Sequence, residues 1–106
     1  MALSEKRQIS ISRRVLRGVD FWDQREPGWR DRLDSQWFDM SSNTNDLLGQ
    51  LCGNYSNALS QLGISEHVAV KFGFSVPYLI HGDDASDYLN ALTSEWRKYL
   101  PEKKAA

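Results

Sequence analysis

The strongest constraint in this chain lies near its C-terminus. Placed at about 100° per residue, Ala85, Tyr88, Leu89, Leu92, Trp96, Tyr99 and Leu100 fall within about one third of a helix circumference. Asn90, Ser94, Arg97 and Lys98 fall on the other side, so the segment reads as an amphipathic helix that must bury one face. His81-Gly82-Asp83-Asp84 supplies a turn and then a carboxylate placed to cap the first N–H groups. Asp83, Asp84 and Asp87 sit at the positive end of the helix dipole and Arg97 and Lys98 at the negative end. Pro101 forbids continuation. Such a helix is stable only against a core, and the rest of the chain has to supply it.

Two more segments carry the same periodicity. From about Asn45 to Leu62, the residues Leu48, Leu51, Cys52, Tyr55, Ala58, Leu59 and Leu62 form one stripe, with N-cap candidates at 41–45 and a C-terminal Gly63. Gly49 and Gly53 inside it each cost about 1 kcal/mol relative to Ala, so packing has to carry this helix. The first helix is expected from Ser10 or Ser12 to about Gln24, with Ile11, Val15, Val19 and Trp22 inward and Arg13, Arg17, Asp20 and Gln24 outward. Its start is blurred by the strand-like alternation of residues 8–12. Between these helices, residues 29–34 are long enough for one helical turn, and Trp29, Trp37, Phe38 and Met40 read as bulky plugs over the core.

Residues 64–76 read two ways. Val68, Val70, Phe72, Phe74 and Val76 alternate as a strand does, whereas Ser65-Glu66 and Gly73 suit a short capped helix. The expected fold is mainly α: a small single domain spanning 1–106, with three amphipathic helices around one core. A Trp-bearing connection and one short strand or extra short helix complete it. Residues 1–9 are expected as a basic arm and 101–106 as a solvated tail.

Composition narrows the function classes. A chain of 106 residues that is 41% hydrophobic holds one modest core. No run approaches the roughly 20 apolar residues of a membrane span, and the N-terminus turns charged at Glu5, so neither a membrane partner nor a signal peptide is expected. A cytoplasmic location follows as the expectation. One Cys and two His exclude an intrachain disulfide and a four-ligand Cys/His zinc site, and no cofactor motif is present. Cys52 lies mid-stripe and reads as a buried, inert thiol. His67 and His81 lack metal-site spacing, so the chain is not expected to be an enzyme.

Two surfaces remain as binding candidates. Residues 1–17 hold Lys6, Arg7, Arg13, Arg14 and Arg17 against Glu5, a local excess that the next segment reverses. These five cations are the candidate phosphate contacts of a small nucleic-acid-binding protein. On the expected middle helix, Gly49, Gly53, Ser56 and Ser60 make a ridge of small residues outside the leucine stripe, which would let a partner backbone approach. Together with the loop residues Trp29 and Trp37 they form the candidate partner surface of a protein-interaction module.

Several short motifs carry a resemblance. Pro27-Gly28-Trp29 with Arg32-Leu33-Asp34, Asp39-Met40-Ser41, Leu48-Gly49-Gln50-Leu51, Gly73-Phe74, Tyr88, Leu92-Thr93 and Trp96-Arg97 are similar to a set of small uncharacterised proteins of actinobacteria and their phages. The matches are scattered over residues 18–98. The resemblance implies a phage or actinobacterial setting and a short helix over 66–72, and it brings no established activity. Where such proteins often have Cys-Val before the Leu-Gly-Gln-Leu segment, this chain has Asp46-Leu47, so no family thiol is assigned there. The favoured expectation is a non-catalytic protein-interaction module, plausible as a phage product acting on a host or phage protein, with nucleic-acid binding as the alternative. Oligomeric state is not legible.

Overall fold

A computed structural model describes residues 4–101. Residues 1–3 of the expected arm and 102–106 of the expected tail lie outside the described residues. Helix α1 (Glu5–Arg25) begins where Ser4 turns extended, and the Ser4 hydroxyl accepts the Arg7 N–H at 3.2 Å. It therefore starts well before Ser10 or Ser12, and residues 5–9 of the expected arm are helical. The alternation over 8–12 misleads because Ile9 is exposed while Ile11 is buried, both on one helix. Ile11, Val15, Gly18, Val19 and Trp22 form the inward stripe.

Gly18 marks the closest approach. A Cβ there would lie 2.2 Å from the Phe72 carbonyl oxygen and 2.8 Å from the Trp96 ring. The helix-propensity cost of a mid-helix glycine is thus offset by dense packing.

Pro27-Gly28 turns the chain, with Gly28 at φ 91, into a 3₁₀ turn at Trp29–Arg32. The expected middle helix is two helices, α2 (Leu47–Cys52) and α3 (Tyr55–Leu62). Gly53 breaks it at φ 98, and Asn54 caps α3 by accepting the Asn57 N–H at 2.8 Å. The apolar stripe runs through the break unchanged, which hides it from periodicity. Gly63 ends α3 in the left-handed conformation, as expected.

Residues 64–76 resolve as the helix alternative. Ser65 caps α4 (Glu66–Lys71) by accepting the Val68 N–H at 3.2 Å. No strand occurs among the described residues. Helix α5 (Gly82–Arg97) starts two or three residues earlier than a cap at Asp83 or Asp84 requires: its N-cap is His81, with no side-chain capping bond. Asp83 and Asp84 instead sit in the first turn, where the dipole favours them.

The architecture is mainly α, with five α-helices and one 3₁₀ turn among the described residues rather than three helices. Helix α1 packs on α5 and α4, and α2 packs on α3 and the 3₁₀ turn. Trp96 sits at the centre, edge-on to Trp29 at 6.1 Å and stacked with Phe74 at 6.1 Å, and its indole N–H donates to the Gly73 carbonyl at 2.7 Å. The radius of gyration is 13.2 Å, as expected for one compact domain of about 100 residues.

The long connection between α1 and α2 is held by side chains that reach backbone. Trp29 donates to Asp23 at 2.7 Å, and Arg32 donates to the Leu51 carbonyl at 2.6 Å and pairs with Glu26. Gln50 accepts the Asp34 N–H at 2.6 Å and donates to the Asp34 and Asn45 carbonyls, each at 3.1 Å. Arg97 donates to the Ser35 and Phe38 carbonyls at 2.9 and 2.8 Å, while Thr93 accepts the Met40 N–H at 3.0 Å. The part-buried bonds among them, to the Leu51, Asn45 and Phe38 carbonyls and the Met40 N–H, pair backbone groups that lie partly out of water.

Candidate functional site

The five cations singled out in the sequence all lie on α1. At about 100° per residue, Lys6, Arg7, Arg13, Arg14 and Arg17 span about one third of its circumference, beside the buried stripe and out onto the open face. The Ser4 cap extends the helix far enough to include Lys6 and Arg7. A flexible arm would have dispersed these charges; the helix aligns them.

Their surroundings divide them. Lys6, Arg13 and Arg17 are exposed and form no ion pair among the described residues. Arg14 is half-buried and anchored: its Nε donates to the Ser10 hydroxyl at 3.3 Å and its Nη1 to the Val70 carbonyl at 3.3 Å, in the last turn of α4. Two of its five N–H groups are thereby used and the guanidinium is fixed in place. Ile9 (47% exposed) and Leu16 (50% exposed) flank the cations on the outer side.

Two hollows border this strip. The outer one, about 320 Å³, is lined by Lys6, Ile9, Ser10, Arg13, Arg14 and Arg17. The inner one, about 330 Å³, lies between α1 and α5 and adds Ser4, Arg7, Tyr88, Pro77 and Ile80 to Lys6, Ser10 and Arg14. Tyr88 is 2% exposed, and its hydroxyl has no hydrogen-bond partner among the described residues. Burial pushes its phenol pKa up, against the opposing pull of Arg14 and Arg7.

The other sequence-based candidates do not assemble. The Gly49, Gly53, Ser56, Ser60 ridge requires one continuous helix, and the Gly53 break removes it. Gly49 is buried under its own N-terminal loop, where a Cβ would lie 2.5 Å from Asp46 Oδ1 and 2.6 Å from the Asn43 carbonyl oxygen. Gly53, Ser56 and Ser60 are exposed. Trp29 is fully buried and unavailable to a partner, while Trp37 is 60% exposed beside a hollow of about 620 Å³ that Phe38 and Arg97 also line.

Cys52 is half-buried rather than fully buried, and burial raises its thiol pKa, with Arg32 pulling the other way. A raised pKa disfavours the thiolate that reactivity needs. His67 and His81 are both exposed. No cluster of three or more metal-ligating side chains occurs among the described residues. None of their helices is long and apolar enough to cross a membrane.

Ile9, Leu16 and Tyr88 are the site residues that sequence reasoning missed. Ile9 lies before the expected helix start, and Leu16 falls on the outer face of that helix, where a single apolar residue carries no signal. Tyr88 is legible as core, but nothing in the sequence marks its hydroxyl. No protein-family model, curated protein or solved structure matches the chain.

Proposed function

We propose that the protein is a non-catalytic interaction module that docks an acidic protein surface through the outer face of α1. One observation carries this reading: Lys6, Arg13 and Arg17 share an exposed helix face with Ile9 and Leu16. Ile9 and Leu16 are seven residues apart, so they point the same way and present two apolar contacts along one seam. Cations beside that seam favour a partner carrying both carboxylates and apolar side chains, such as an acidic amphipathic helix. The resemblance to small actinobacterial and phage proteins makes a phage or host protein the expected partner. Trp37, 60% exposed, offers a further apolar contact.

A second reading, docking onto a nucleic-acid backbone, draws support from the alignment of all five cations along one strip of α1. The two readings separate on the apolar residues. Crosslinked capture from phage-infected host cells is expected to yield a protein that is lost with Arg13→Glu/Arg17→Glu and lost equally with Ile9→Ser/Leu16→Ser. Binding to mixed-sequence DNA that falls steeply with salt and ignores the Ile9 and Leu16 changes would replace the protein reading with the nucleic-acid one.

A further inference from the structure

We propose that the hollow between α1 and α5 is a binding site for a small organic phosphate monoester. Arg7, Arg14, Lys6 and the Tyr88 hydroxyl would hold its phosphate, and Pro77 and Ile80 its organic part. This goes beyond the docking reading. Arg7, Tyr88, Pro77 and Ile80 border the inner hollow and not the outer one.

Three observations converge on one place. First, three cations line the hollow, and no carboxylate lines it among the described residues. A dianion matches such a cluster better than a single carboxylate does. The Arg14 guanidinium is held by Ser10 and by the Val70 carbonyl, so it is oriented before any ligand arrives and three of its N–H groups remain to donate.

Second, Tyr88 lines the same hollow from α5, and its buried hydroxyl has no hydrogen-bond partner among the described residues. An unpaired buried hydroxyl costs on the order of 1–3 kcal/mol, and a phosphate oxygen would accept its hydrogen bond. Burial keeps the phenol protonated, so it remains a donor. Third, Ser4 is the N-cap and Arg7 lies in the first turn of a 21-residue helix, whose dipole adds to the positive field. The volume, about 330 Å³, suits a small ligand, and Pro77 with Ile80 forms the apolar wall that an inorganic ion would leave unused.

Phenyl phosphate and inorganic phosphate are the probes, measured by titration calorimetry on the full chain and on three variants. The wild type is expected to bind phenyl phosphate about tenfold more tightly than inorganic phosphate. Tyr88→Phe and Arg7→Gln are each expected to weaken phenyl phosphate by about tenfold or more, while Arg13→Gln/Arg17→Gln changes it by less than about twofold. Tyr88→Phe is also expected to melt at or above the wild-type temperature, because it removes an unpaired polar atom.

Absence of phenyl phosphate binding at millimolar concentration overturns the proposal. So does equal affinity for the two probes, or binding indifferent to Tyr88 and Arg7. A Tyr88→Phe protein that melts well below wild type overturns it too, since the hydroxyl would then have a structural role. Tighter binding of a phosphoserine peptide than of phenyl phosphate overturns the small-molecule assignment. Failure of the docking reading shows elsewhere, in the Ile9 and Leu16 changes.

Discussion

Charged and polar side chains do opposite jobs in two regions of this molecule. Around the α1–α2 connection, Arg32, Gln50, Thr93 and Arg97 each tie down backbone groups from another segment. Along the outer face of α1, Lys6, Arg13 and Arg17 form no ion pair among the described residues. The residue types overlap, but their partners differ. A guanidinium that holds two loop carbonyls, as Arg97 does, is part of the fold, and removing it leaves the part-buried Phe38 carbonyl without that donor. An exposed cation without a partner adds little to stability and remains free for binding. Arg32, Gln50, Thr93 and Arg97 thus serve to pack a loop, and the candidate site lies elsewhere.

The sharpest break of this contrast comes from the centre of the first region. Trp96→Ala is expected to cost about 3–5 kcal/mol, because it removes a fully buried indole and orphans the Gly73 carbonyl. Thermal unfolding checks this; a melting temperature within a few degrees of wild type contradicts the central placement of Trp96. Gly49→Ala comes next, at about 1–3 kcal/mol of destabilisation from overpacking against Asp46 and the Asn43 carbonyl. Propensity alone gives the opposite sign, so urea denaturation of this variant separates packing from propensity.

Asp46 sharpens the comparison by pH. It is buried, caps α2 by accepting the Gly49 N–H at 2.6 Å, and burial pushes its pKa up to about 7 against that bond. A carboxyl raised above its unfolded value of 3.8 binds its proton more tightly in the folded state. Its contribution therefore makes stability fall as pH rises from about 4 towards about 7. Asp46→Asn keeps an oxygen acceptor for Gly49 and removes the charge. It is expected to raise stability at about pH 8 by about 1 kcal/mol or more and to change little near pH 4, measured by denaturant titration at both. The smallest effect belongs to the second region: Arg13→Ala/Arg17→Ala is expected to shift stability by less than about 0.5 kcal/mol. A larger loss would mean that these cations also brace the fold.

The helical class and the buried faces of α1 and α5 were legible because burial repeats with the helical period over long segments. Ile11, Val15, Val19, Trp22, Tyr88, Leu92 and Trp96 are all core residues. The break at Gly53 was not legible, because a glycine with positive φ looks the same in sequence as one inside a helix. The start of α1 was missed because the Ser4 cap outweighs the local alternation of residues 8–12. At α4, Ser65 and Gly73 were the informative residues, and the alternating valines were not. The candidate site was half legible. Its cations were visible, but their alignment depended on the helix start, and the Tyr88 hydroxyl became informative only once its surroundings were known.

The break at Gly53 also has a kinetic consequence. Helices as short as α2 and α3 cannot persist in isolation, so each survives only as long as its docking lasts. Helix α2 is docked through Leu47, Leu48, Gly49 and Leu51, all buried, whereas α3 buries only Ala58 completely. The chain thus contains a hinge with unequal leaves. Amide protons over 55–62 are expected to exchange through local opening of α3 while α1, α2 and α5 stay closed. The same opening would expose the peptide bonds near Asn54 to a protease long before the molecule as a whole unfolds.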